Sequence, residues 1–291
     1  MFDLRYHVAS LAAVFLALMI GILVGVGISD PGLADSTRLV KLQDEVDRLN
    51  ERLEVASTRN QQQKAAEAFV EAAYGAVMQD RLVGKRIAIV FVGSVDAAVS
   101  SAVSEAVEDA GGTIVRLRAL AVPLGTQALD AAAEARPGLA DYMNERALAD
   151  LGRDLGHELV AGGNTPLWDS LSSALVEERL GSGKRPADGV VVMRSAPPQR
   201  DPTGRFLLGF YSGLAGSVPV VGVEAMAQRP SSAGLYRRVA FSSVDAVDTP
   251  VGRVSLAVLL AGGQRGSYGV KDASDGAVPA IEPVAPAPPR R

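Results

Sequence analysis

The residues able to do chemistry in this chain are few and scattered. Cysteine is absent, which excludes thiolate nucleophiles, thiolate metal sites and disulfides, and leaves the chain indifferent to redox poise. Histidine occurs only at His7 and His157. His7 precedes an apolar run, so a Ser-His-Asp arrangement in the following chain has to use His157. That residue sits in the helical run LGRDLGHELV, and no Gly-x-Ser-x-Gly elbow occurs anywhere. It reads as a surface or helix-packing histidine. Paired acids stand at Glu177-Glu178 and at Asp245 with Asp248. The first pair reads as solvated, and the second precedes Thr249-Pro250, where a carboxylate opposes the positive end of a helix. A soft copper ion needs clustered Met, Cys or His, yet Met1, Met19, Met78, Met143, Met193 and Met226 form no Met-x-x-Met or His-x-Met pair. The pattern contains no nucleophile with its base and no metal constellation. The chain therefore reads as non-enzymatic, with no cofactor and no assignable metal ligand.

Phosphate-binding loops fare similarly. The turn Val92-Gly93-Ser94-Val95-Asp96 lacks the three glycines that let a dinucleotide pyrophosphate approach the backbone. Gly181-Ser182-Gly183-Lys184 resembles the end of a P-loop, but Glu178 replaces the upstream glycine and Arg185 the magnesium-binding hydroxyl. It reads as a surface turn. A net charge of −4, from 29 basic and 33 acidic residues mixed along the chain, gives no basic block with interleaved aromatics. Nucleic acid is not indicated as a partner.

The elements that carry these residues start with an apolar run, Val8 to Ile28, which holds no charge and has the length a helix needs to cross roughly 30 Å of hydrocarbon. It exceeds a signal-peptide core and does not end in a small-x-small cleavage site. Residues 1–29 thus read as an uncleaved transmembrane anchor, set in a bilayer. Arg5 precedes the span and Arg38, Lys41 and Arg48 follow it, which does not favour an internal N-terminus. Long domains are translocated largely regardless of charge, so the bulk of the chain is expected outside the cytoplasm. Ala9, Ala13, Ala17, Gly21 and Gly25 recur every fourth residue. Such a stripe permits close helix pairing, although Ala and Gly are also simply common in membrane helices.

Asp30-Pro31-Gly32 predicts a break, with Asp35 or Ser36 capping a new helix. From there Leu39, Leu42, Val46, Leu49, Leu53 and Ala56 alternate spacings of three and four between charged faces. Residues 30–83 read as a coiled-coil stalk and a homodimer through stalk and anchor is expected; an amphipathic helix packed on its own domain is the alternative. Residues 84–270 then alternate short β-branched runs with helical ones. Strands are predicted at Arg86–Val92, Thr113–Leu120, Val190–Met193, Val218–Val223 and Arg238–Phe241. Helices are expected from Ser94 or Asp96 to Ala110, between Leu124 and Ala161, from Thr165 to Leu180, across Phe206–Leu214 and from Pro250. This is the pattern of an α/β, Rossmann-like domain with a mostly parallel sheet. The segment 271–291, ending PAIEPVAPAPPRR, reads as a disordered Pro/Ala-rich tail.

The opening RYHVASLAAVFLALMIGILVG resembles the N-terminus of the MctB family, actinobacterial and mycobacterial proteins catalogued as copper transporters. LVGKRIAIV, VDAVDTPVGRVSLAVLLAGG and GSYGV are similar too. The resemblance implies a single-pass membrane protein of the cell envelope assigned to copper transport or homeostasis, working as an oligomer or with envelope partners, with copper as the ion concerned. The architecture alone suggests a different class: a coiled-coil envelope scaffold that recruits other envelope or division proteins without binding copper.

Overall fold

The computed structural model describes residues 4–28, 31–134, 136–142, 147–181, 184–271 and 275–284; within these, the side chains of 4–9, 26–28, 31–39, 133, 137, 140, 178 and 179 lie outside the description. The chain divides into two compact units, Met1–Glu67 and Ala68–Arg291.

The first unit is helical. Helix α1 (Leu4–Ile28) takes up the apolar run, and α2 (Pro31–Met78) follows it. Among the described residues no helix is long and apolar enough to cross a membrane, so the structure establishes the helix and not its place in a bilayer. The expected helix start at Asp35 or Ser36 moves back to Pro31, because proline fits the first helical turn, where no backbone N–H is needed. Asp30 and the side chain of Leu39 lie outside the described residues. Leu42, Val46, Leu49 and Leu53 are 46 to 66% exposed along α2, and Gly21 and Gly25 are exposed on α1.

The second unit takes in the end of α2, from Ala68. The three-four spacing of the stalk runs on to Tyr74 and Val77, which pack with buried Met78 on the core of the unit. Tyr74 Oη donates to Asp109 Oδ2 at 2.7 Å, and the Arg253 guanidinium lies 5.3 Å from its ring centre. These contacts belong to residues beyond the Leu39 to Ala56 stripe, of which Leu42, Val46, Leu49 and Leu53 stay exposed.

The sheet has seven strands: β1 (Arg86–Val92), β2 (Thr113–Leu120), β3 (Val176–Gly181), β4 (Gly189–Arg194), β5 (Val220–Val223), β6 (Ser242–Val244) and β7 (Ser267–Tyr268). Their order is β3-β2-β1-β4-β5-β6-β7, parallel except where β3 runs against β2. Chain order proceeds outward from β1 on one side and from β4 on the other, so direction reverses between these two neighbours. Alternate residues of β1 enter opposite cores. Ile87, Ile89 and Phe91 join α3 (Ala97–Asp109) and α9 (Pro250–Leu260). Ala88, Val90 and Val92 join α5 (Leu148–Ala161), α6 (Pro166–Leu175) and α7 (Thr203–Leu214). Helices α4 (Thr126–Glu134) and α8 (Ala233–Arg238) complete the layers.

Two strand expectations change. The helix from Thr165 stops at Leu175, and Val176–Gly181 becomes an antiparallel edge strand, because β2 offers an open edge that local helix propensity cannot register. The strand expected at Arg238–Phe241 lies instead at Ser242–Val244, after α8. Part of the expected tail makes contacts with the domain. Gly276 bridges Tyr268, Pro279 is buried, and Arg81 Nη1 donates to Glu282 O at 3.2 Å.

Helices α5 and α7 meet through two Gly-x-x-x-Gly pairs, Gly152 with Gly156 and Gly209 with Gly213. A Cβ at Gly209 would collide with Ala149 O, and one at Gly156 would lie 2.6 Å from Phe210 O. Backbone touches backbone there, and the neighbouring Phe206, Phe210 and Trp168 rings fill the rest. Gly209→Ala gains about 1 kcal/mol of helix propensity but overpacks this contact, so a net loss of about 1–3 kcal/mol is expected in urea denaturation; an unchanged midpoint would contradict it.

Arg86 binds Asp188 through Nε at 2.8 Å and Nη2 at 3.0 Å, ahead of β4. The hydrogen bond from Arg86 holds the Asp188 carboxyl below the usual range. A depressed folded value means that the pair stabilises above the unfolded pKa, about 3.9, and that this is lost as pH falls through the folded one. The stability gap between the wild type and Asp188→Asn should therefore be present at pH 7 and close below about pH 4. A gap that persists in acid would rule the pair out as its source.

Candidate functional site

Open parallel sheets bind ligands beyond the carboxyl ends of their strands, where strand order reverses. Here that point lies between β1 and β4, and it carries a crevice of about 880 Å³. Phe91, Met193 and Val223, at the ends of β1, β4 and β5, line it with the loops that follow and with Leu235 and Arg238 of α8.

The first strand-helix turn is closed to a pyrophosphate. Gly93 has φ of +99°, and a Cβ there would lie 2.7 Å from Ser195 Oγ. Ser195 Oγ donates to Ser94 O at 2.8 Å, and the Ser195 and Ala196 amides both donate to Val92 O. The loop after β4 thus seals the turn. Asp96 accepts the amides of Ala98 at 3.0 Å and Val99 at 3.1 Å, so the amino end of α3 already holds a carboxylate where a phosphate would sit. Arg194 braces the same loop, donating from Nε to Ala196 O at 2.8 Å and from Nη2 to Pro197 O at 2.6 Å.

The opposite wall, 225–232, is fixed by a buried ion pair. Glu224, 1% exposed, meets Lys271 Nζ, 5% exposed, at 2.9 Å. The carboxylate also accepts from Ser231 Oγ at 2.8 Å and Ser232 N at 2.7 Å. Lys271 Nζ donates as well to Ala225 O at 3.0 Å and Gln228 O at 3.2 Å. Asp245 in turn sets Lys271 in place, accepting the amides of Val270 at 2.8 Å and Lys271 at 3.0 Å. Gly269 must be glycine for this, since its φ is +142° and a Cβ would strike the Asp245 carboxylate. Asp248 accepts the amide of Met226 at 2.8 Å. The expectation that Asp245 and Asp248 merely answer the dipole of the last helix is therefore corrected: both tie loops, and Thr249 Oγ1 does the capping, accepting from Gly252 N at 3.1 Å.

Other residues singled out by sequence do not converge on the crevice. His157 is exposed on α5, and the side chain of His7 lies outside the described residues. Met193 and Met78 are buried singly, while Met19 and Met226 are exposed. Among the described residues no three His, Asp or Glu side chains come together as a metal site. Gly21 and Gly25 share one face of α1, and Leu42, Val46, Leu49 and Leu53 one face of α2. Sequence reasoning missed Glu224 and Lys271. The available signal was a lone Glu directly after the apolar run VVGV, with a Lys just past the GSYGV motif.

A doubly wound α/β unit with a mostly parallel sheet, whose first strand-helix turn is closed by its own chain, and a helical N-terminal unit define the class of this protein. The chain belongs to the family described as "Copper transport outer membrane protein, MctB", whose model matches residues 1–279. It is 34% identical over 116 residues to "Copper transporter MctB" of Mycobacterium bovis and of two Mycobacterium tuberculosis strains. That stretch covers 39% of this chain and 36% of each relative, so it spans about a third of their length.

Removing one partner of a buried pair leaves the other charge uncompensated, at a cost of about 3–5 kcal/mol. Lys271→Met should destabilise by that amount in chemical denaturation, and Glu224→Gln with Lys271→Met should recover much of it. A double variant no more stable than the single one would count against the pair.

Proposed function

We propose that this is a single-pass membrane protein of the bacterial cell envelope that serves copper transport or copper homeostasis, non-enzymatically and as an oligomer or with envelope partners. The family match over residues 1–279 carries the reading. The uncharged apolar run Val8 to Ile28 of the sequence supports it, since a helix of that length suits roughly 30 Å of hydrocarbon. One helix cannot enclose a path for an ion, because a pore needs several lining elements. Copper is accordingly a cargo handled between copies or with a partner, and the bulk of the chain lies outside the cytoplasm.

A chromosomal deletion should raise copper sensitivity, and the full chain should restore it. Unchanged sensitivity, together with no Cu(I) or Cu(II) binding tighter than micromolar to the full chain in nanodiscs, would contradict the reading.

The second reading is a coiled-coil scaffold that recruits envelope or division proteins and binds no copper. The exposed stripe Leu42, Val46, Leu49 and Leu53 favours it. Both readings use a homodimer. Replacing Leu42, Leu49 and Leu53 by Ser in the full chain should convert dimer to monomer by ultracentrifugation in detergent, and a wild type that is already monomeric would remove the dimer from both.

A further inference from the structure

The crevice between β1, β4 and β5 has the size of a small-molecule site, where volumes run from roughly 300 to 1,000 Å³. Its accessible walls are partly apolar, formed by Pro197, Pro198, Pro230 and Leu235, while Phe91, Met193 and Val223 close the inner end and are themselves buried in the core. Its outer part is cationic. Arg194, Arg229 and Arg238 all line it, and among the described residues none of them forms an ion pair with a carboxylate. Arg194 is held by backbone carbonyls, and Arg229 Nη1 donates to the carbonyls of Met226 and Gln228. These contacts orient the guanidinium groups without neutralising them.

The acids nearby are already engaged. Asp96 caps α3 and Glu224 is paired with Lys271. The crevice therefore joins apolar walls to a rim of three guanidinium groups and one lining carboxylate, Asp96, with positive charge in excess.

We propose that this crevice binds a small amphiphilic anion, an organic phosphate or carboxylate whose apolar body lies against Pro197, Pro198 and Leu235 and whose charge meets Arg229 and Arg238. A dinucleotide is not the occupant, because the turn at Gly93 and the start of α3 are closed. The ordered loops around the rim mean that little has to be arranged on binding.

The test is calorimetric titration of the full chain in nanodiscs of uncharged-net phosphatidylcholine, with empty discs as the blank. The probes are 1-naphthyl phosphate, 1-naphthoate, inorganic phosphate and the neutral 1-naphthalenemethanol. At least one aromatic anion should saturate a single site. Arg229→Ala with Arg238→Ala should weaken it by about tenfold or more, as expected for lost hydrogen bonds to charged groups. Ala227→Trp, at an exposed lining position, should block it without touching the charges. Stronger binding of the naphthyl phosphate would identify an organic phosphate, and stronger binding of naphthoate a carboxylate. No saturable binding of either anion, equal binding of the neutral probe or of inorganic phosphate, or affinity unmoved by both sets of substitutions would overturn the proposal.

Discussion

The buried pair of Glu224 with Lys271 is the constraint on which the carboxyl edge of the sheet depends. A charge taken from water is tolerated only when it is paired and its remaining hydrogen-bonding capacity is met. Here the carboxylate meets an ammonium, a hydroxyl and a backbone amide, and the ammonium meets two further carbonyls. The pair joins segments far apart in sequence: the end of β5, the loop 225–232 and the chain beyond β7. Asp245 supplies the second anchor by holding the backbone at 270 and 271. Lys271, just after GSYGV, is thus a structural member of the domain, and it braces the 225–232 loop that forms one wall of the crevice.

A second constraint works on the opposite layer. Paired glycines let α5 and α7 approach until backbone meets backbone, which sets the helices that cover Val90 and Val92.

Much of the fold was legible because its signals are local. The runs RIAIVFV and TIVRLRAL, the GG stop after α3 and Thr249-Pro250 before α9 each carry their own propensity and capping chemistry. What was not legible depends on partners distant in sequence. Strand β3 exists because β2 has an open edge, and nothing between Leu175 and Val176 punctuates the change from helix to strand. Asp245 looked like an answer to a helix dipole because Lys271 lies beyond a helix, a turn and a two-residue strand. The tail looked unable to fold because its composition is poor in large apolar groups, yet Pro279 and the backbone at 276 dock on an existing surface. The candidate crevice was the least legible of all. Its arginines come from three separate segments and share no motif.

The central claim is that the chain beyond β7 fixes the wall of the crevice through the Glu224 and Lys271 contact. Hydrogen exchange of the full chain, wild type against Lys271→Met, tests it most directly. The account predicts faster exchange at 225–232 and 269–271 at labelling times short against global unfolding, before the amides of β1, β2 and the α5 and α7 helices exchange in either chain. Uniform acceleration across the sheet, or no change at 225–232, would contradict it.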